Sequence, residues 1–180
     1  VFINVIEREL EKMSTKKIVL LVSAILLSCV CLVIAAAAGL MIYSVQQVNN
    51  LPSIYDEQAD AKQDVALALK QAKTEGKYVL LDFGADWCPD CHALDSYFED
   101  SQIKPFLDQN YVVVKINVGN WDTNLDISEK YGDPIARGIP AIVILDADEQ
   151  IITATENGEM ATASTSSAQE VLAFLQTYAP

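Results

Sequence analysis

The chain has 180 residues, with 25 acidic side chains against 12 basic ones and a single histidine, and a formal net charge of −13 at pH 7. Eight of the basic and 22 of the acidic residues lie from Ser44 onward, and such a surface repels phosphate backbones, which excludes nucleic-acid binding. Only two of the four cysteines, Cys88 and Cys91, lie in that part, so a scaffold stapled by disulfides is excluded as well.

Ile18 to Tyr43 carries no charge and breaks its apolar run only with serines and a glycine. About 20 such residues suffice to cross a bilayer as a helix. Arg8, Lys12, Lys16 and Lys17 precede the run, and no Lys or Arg follows it until Lys62. Basic flanks stay on the cytoplasmic side, which predicts that everything after the run lies outside the cytoplasm. Met13 before "STKK" reads as a natural start and makes 1–12 an upstream extension. The run also has the order of a secretory signal, with "AAAAG" as a cleavage region. "LLSC", ending at Cys29, resembles a bacterial lipoprotein box. Either cut would leave a strongly apolar mature N-terminus, so a retained anchor is the expectation, and Cys29 and Cys31 are then small apolar filler. The expected organisation is a cytoplasmic segment 1–17, a signal-anchor 18–43, a tether 44–54 and one α/β domain 55–180.

Along that domain, Tyr55 to Lys77 places Val65, Leu69 and Ala72 at helical spacing and stops at Gly76. "YVLLDFGA" is a continuous apolar run interrupted by Asp82, as in a strand buried on both faces. His92 to Gln109 is helical, with a break expected near Lys104-Pro105. "YVVVKINV" is a second strand, "NWDTN" a loop and "LDISEKYG" a short helix. "GIPAIVILD" is a third strand, and "IITAT" its antiparallel partner across the "ADEQ" turn. "NGEMATASTSS" reads as a polar loop, and Ser167 as the cap of a last helix, "AQEVLAFLQTYA". Helix, strand, helix, strand, helix, strand, strand, helix is the pattern of a layered fold around a mixed sheet.

Cys88-Pro89-Asp90-Cys91-His92 admits three chemistries. A structural zinc site needs four ligands, and nothing else in the domain is spaced to complete one, so no metal is expected. The spelling also matches c-type haem attachment. A haem wants a second axial ligand, however, and the domain's only methionine is Met160, in the polar loop. A redox dithiol fits the local order. The strand delivers Cys88 to a helix start, whose free N–H groups and dipole favour a thiolate, and Cys91 follows one turn on, within reach of a mixed disulfide.

"LLDFGADWCPDC" resembles the active-site segment of the thioredoxin superfamily, with Trp87 before the first cysteine. The resemblance covers roughly Tyr55 to Pro180 and implies a thioredoxin fold preceded by one transmembrane helix. It implies Cys88 as nucleophile, Cys91 as resolving thiol, and Cys88–Cys91 as the redox disulfide. Asp82 matches the buried acid that takes the proton of the second cysteine, and Lys115 the lysine paired with it. "ARGIPA" matches the cis-proline segment, so Ile139 and Pro140, with Trp87, are the expected substrate contacts. His92 reads as a solvated first-turn residue, and Trp121 receives no role. No cofactor is implied, since the two thiols carry the electrons.

Pro89-Asp90 departs from the glycine-proline of ordinary thioredoxin, and "WCPDC" recurs in a small branch of related proteins, cytosolic ones among them. Asp86 and Asp90 place negative charge beside Cys88, which disfavours its thiolate, while the helix dipole and a protonated His92 oppose them. The balance points to the reducing end of the family. The whole pattern also resembles exported bacterial domains related to the electron-donating end of membrane thiol transporters. The expected function is reduction of protein disulfides, supplied by a membrane thiol donor, on the outer side of a bacterial inner membrane. The alternatives are an oxidase or isomerase of the same fold, a c-type haem carrier, a redox-inert binding module, and a periplasmic form released by cleavage or lipidated at Cys29.

Overall fold

The computed structural model describes residues 14–49 and 52–180. The expected upstream extension and the Asn50-Leu51 junction lie outside the described residues. The chain divides into two compact units at Asn50, which are taken separately.

The first is a single helix, α1 (Thr15–Asn49). Thr15–Tyr43 is long and apolar enough to cross a membrane, and side chains such as Leu20, Ile25, Leu32 and Val33 are exposed along it. Beyond Tyr43 the helix continues through the first residues of the expected tether to Asn49. At the other end of that stretch Ser53 and Ile54 are hydrogen-bonded to Asp86 of the domain.

In the second unit, α2 (Ala61–Glu75) begins where Asp60 accepts the N–H of Gln63. It ends at Gly76, whose left-handed φ of 69° turns its N–H back to the Ala72 carbonyl. The buried stripe is Ala61, Val65, Ala68 and Ala72, while Leu69 is only half-buried at its edge. β1 (Tyr78–Gly84), β2 (Tyr111–Asn117), β3 (Ala141–Leu145) and β4 (Ile151–Ala154) form one mixed sheet in the order β2-β1-β3-β4. β2 runs parallel to β1, and β3 and β4 are antiparallel to their inner neighbours. β3 starts after Pro140, so the "GIP" expected inside the strand precedes it.

Between β1 and β2 lie α3 (Pro89–Phe98) and α4 (Lys104–Asn110), with Pro105 in the first turn of α4, where its missing N–H costs nothing. α5 (Leu125–Lys130) follows β2, and α6 (Ala168–Thr177) closes the chain behind a capping box between Ser167 and Glu170. Alternate residues of β1 face opposite layers. Val79, Leu81 and Phe83 pack with the α2 stripe, and Leu80 packs with Leu94, Phe98, Val171 and Leu175. The stretch 157–167, expected as a polar loop, buries Met160 and Ala163 in this second layer and forms a 3-10 turn at Ala163–Thr165. β1, buried on both sides, ends at the junction that carries the two cysteines.

Candidate active site

Ala85, Asp86 and Trp87 carry the chain from the end of β1 to Cys88, the N-cap of α3. The extended conformation of Cys88 turns its Sγ back over the first helical turn, where the Cys91 N–H donates to it at 3.1 Å. Cys88 and Cys91 form a disulfide with their Cα atoms 5.3 Å apart. Cys91 is fully buried, as expected of the inner cysteine, but Cys88 is only 3% exposed, less open than a helix end suggests. Across from it the Ile139–Pro140 bond is cis, and the Ile139 carbonyl oxygen stands 3.5 Å from Cys88 Sγ. The structure thus brings together residues 51 positions apart.

Asp82, on β1 six residues before Cys88, has no solvent exposure. Tyr55 donates its hydroxyl to Asp82 Oδ1 at 3.1 Å, while Oδ2 has no hydrogen-bond partner and sits 3.5 Å from Lys115 Nζ. Lys115 is opposite Asp82 in the β1–β2 register, so both side chains leave the sheet on the same side. Its closest carboxylate is nevertheless that of Asp95, 2.5 Å away on α3. Burial pushes the Asp82 carboxyl above the usual carboxylate range, with the Lys115 charge and the Tyr55 hydroxyl pulling against it. Burial, reinforced by the Asp82 charge, likewise pushes the Tyr55 phenol up, so it stays a donor.

The two acids that flank the cysteines are tied away from them. Asp86 accepts from Ser53 Oγ at 2.6 Å and from the backbone N–H groups of Ile54 and Tyr55 at 2.9 and 3.0 Å. Burial raises its carboxyl, but these donors outweigh burial and hold it below the ordinary value. Asp90 accepts from the N–H and Oγ of Ser164, at 2.9 and 2.6 Å. The expected solvated His92 is half-buried instead, its Nε2 2.7 Å from the Asp86 carbonyl. A carbonyl only accepts, so Nε2 carries the proton there, and a haem would need that bond broken. Trp87 is anchored by its indole N–H to the Gly119 carbonyl at 2.8 Å, and its exposed ring lies 6.0 Å from that of Trp121. Among the described residues no cluster of His, Cys, Asp or Glu could hold a metal ion.

Four residues of this neighbourhood escaped the sequence reading: Tyr55, Asp95, Ser164 and Trp121. Asp95 had a signal, since it follows Cys91 by four positions and shares its helix face. The other three come from distant segments with no local signature.

A helix-capping dithiol opposite a cis-proline strand, on a sheet of this order, defines the class of thioredoxin-fold thiol–disulfide proteins. The Thioredoxin-like family description matches residues 60–147. The crystal structure of a disulphide isomerase from Xylella fastidiosa Temecula1 superposes with a TM-score of 0.69 at 42% identity, over 71% of this chain and 97% of that one. A thiol:disulfide interchange protein DsbD of Colwellia psychrerythraea is 28% identical over 113 residues, 61% of this chain but 16% of that protein. A thioredoxin of Buchnera aphidicola is 36% identical over 77 residues, 43% of this chain and 63% of the relative. The chain therefore spans less than two thirds of either sequence relative. It belongs to the thioredoxin superfamily.

Proposed function

We propose that the protein reduces disulfides of other proteins outside the cytoplasm, held to the membrane by residues 18–43 and acting through the domain from residue 55. One observation carries this reading: a Cys88–Cys91 disulfide at the head of a helix, with a peptide carbonyl on one side and a buried carboxylate on the other. In the reduced protein the Cys88 thiolate attacks a substrate cystine. A Cys88–substrate bond forms, and the first substrate sulfur leaves as a thiolate. Cys91 then gives its proton to Asp82 and its sulfur bonds to Cys88. The second substrate sulfur leaves with the electron pair, so the substrate is reduced by two electrons and the pair is oxidised. The Ile139 carbonyl offers an acceptor to the extended substrate chain beside its cystine.

Asp86 and Asp90 favour the reducing direction by charge, although their hydrogen bonds to Ser53, Ile54, Tyr55 and Ser164 temper that field at Cys88. A redox titration of the full chain in detergent, read by alkylation of the thiols, tests the direction. A midpoint near that of thioredoxin, about −270 mV, is expected, whereas one near about −120 mV belongs to a strong oxidant and overturns it. Lys16 and Lys17 ahead of the apolar stretch support an outward-facing domain. In spheroplasts a membrane-impermeant maleimide should label reduced Cys88, and labelling only after lysis would contradict that side. Electrons would come from a membrane thiol donor, a need set by the oxidising surroundings.

The likeness to the Xylella protein favours a second reading, disulfide isomerisation, in which Cys88 opens and re-forms substrate bonds without net reduction.

A further inference from the structure

Among the described residues, Tyr55 is a buried polar side chain beside the cysteines that the dithiol scheme leaves idle. It is 1% exposed and reaches the site from outside the strand and helix that carry the chemistry. The loop leading to the nucleophile holds it: Asp86 accepts the backbone N–H groups of both Ile54 and Tyr55. Lys115 Nζ lies 5.0 Å from the centre of its ring, so the ring is fixed from above by a cation–π contact. The hydroxyl then meets Asp82 Oδ1 at 3.1 Å. Gly84 makes the room. A methyl group there would overlap the Tyr55 hydroxyl and come within 2.9 Å of Cys91 Sγ, so hydroxyl and sulfur share the space that the missing side chain opens.

We infer that Tyr55 is a positioning residue of the resolving step: by holding Oδ1, it fixes the Asp82 carboxylate so that Oδ2 is the oxygen left for the Cys91 proton. The inference rests on the dithiol reading above. The charged groups around Asp82 are Lys115 from β2 and Asp95 from α3, with Asp86 on the far side of Tyr55, and Cys91 Sγ borders the Tyr55 hydroxyl across the space over Gly84. Lys115 spends its shortest contact on Asp95. Tyr55 is therefore the neutral donor that sets the carboxylate's orientation. In the step itself Cys91 S–H gives its proton to Oδ2, a Cys91–Cys88 bond replaces the Cys88–substrate bond, and the substrate thiolate departs.

Tyr55→Phe removes only the hydroxyl. In the full chain, single-turnover resolution of a Cys88–peptide mixed disulfide should require a higher pH, its acid limb moving up by about one to two pH units, because the ionised carboxylate loses a donor. The first attack of Cys88 on a small disulfide should keep its unsubstituted pH profile. 3-Fluorotyrosine at position 55, a more acidic donor of nearly the same shape, should move the limb down, and it decides alone should the phenylalanine protein not fold. Normal first attack with an unmoved limb overturns the role of Tyr55. No mixed disulfide from the unsubstituted protein overturns the dithiol reading first, and this inference with it.

Discussion

Replacing Cys91 by alanine should stop reductive turnover while leaving the first attack intact, so the protein accumulates as a mixed disulfide with its substrate. Cys88 retains everything that shapes its reactivity: the helix start, the Cys91 backbone N–H that points at its sulfur, and the Ile139 carbonyl opposite. What disappears is the second thiol, whose Cα is held 5.3 Å from that of Cys88. Well-placed neighbouring groups act as if present at about 10⁵–10⁸ M. Outside thiols at millimolar concentration replace only a small part of that, so turnover should fall by on the order of a thousandfold or more. Non-reducing electrophoresis and intact mass would show the adduct, and Cys88→Ala must abolish it. The same variant separates the two readings of function. An isomerase needs only the attacking cysteine, and survival of disulfide rearrangement in Cys91→Ala would displace reduction as the main activity.

The parts of this site that can be read along the chain are those whose chemistry is local. Cys88 and Cys91 are one helical turn apart, Asp82 is on the strand that delivers them, and Gly76 marks a helix end by its own backbone requirement. Pro140 is distant, but its segment carries a recognisable spelling. Tyr55 is legible in none of these ways. It precedes α2 in a short polar stretch, and its role comes from a hydroxyl meeting a carboxylate 27 positions later. Asp90 was legible as a charge but not as an anchor, because Ser164 is 74 positions away. The same long reach explains the buried Met160 and Ala163. The stretch 157–167 is polar in composition, yet docking against α3 makes part of it core. At α1 the apolar stretch ends at Tyr43 as its composition implies, while the helix itself runs on to Asn49 because nothing in "SVQQVN" breaks it.

Asp82→Asn should slow resolution and, at neutral pH, make the domain more stable, since the charge that serves the chemistry is carried at a cost to the fold. The carboxyl is wholly buried, and only one of its oxygens has a hydrogen-bond partner. Losing it does not strand Lys115, which keeps Asp95 at 2.5 Å, and the asparagine carbonyl can still accept from Tyr55. Removing the charge on a buried oxygen that has no hydrogen-bond partner is worth on the order of 1–3 kcal/mol. Its pH dependence has a definite sign. Burial raises the folded-state pKa of Asp82, whereas in the unfolded chain the group titrates near its ordinary value of about 3.9. Between these two values the folded protein holds a proton that the unfolded chain has released, so the parent loses stability as pH rises through that window. Urea denaturation in detergent, followed by Trp87 and Trp121 fluorescence, should show matching stabilities near pH 3. The asparagine variant should pull ahead with rising pH and hold a constant lead above the folded-state pKa. The resolving step, without its proton acceptor, should fall by about 10²-fold or more. An asparagine protein less stable than the parent at pH 8 would mean that Lys115 more than compensates the buried charge, and Asp82 would then be a structural ion-pair partner.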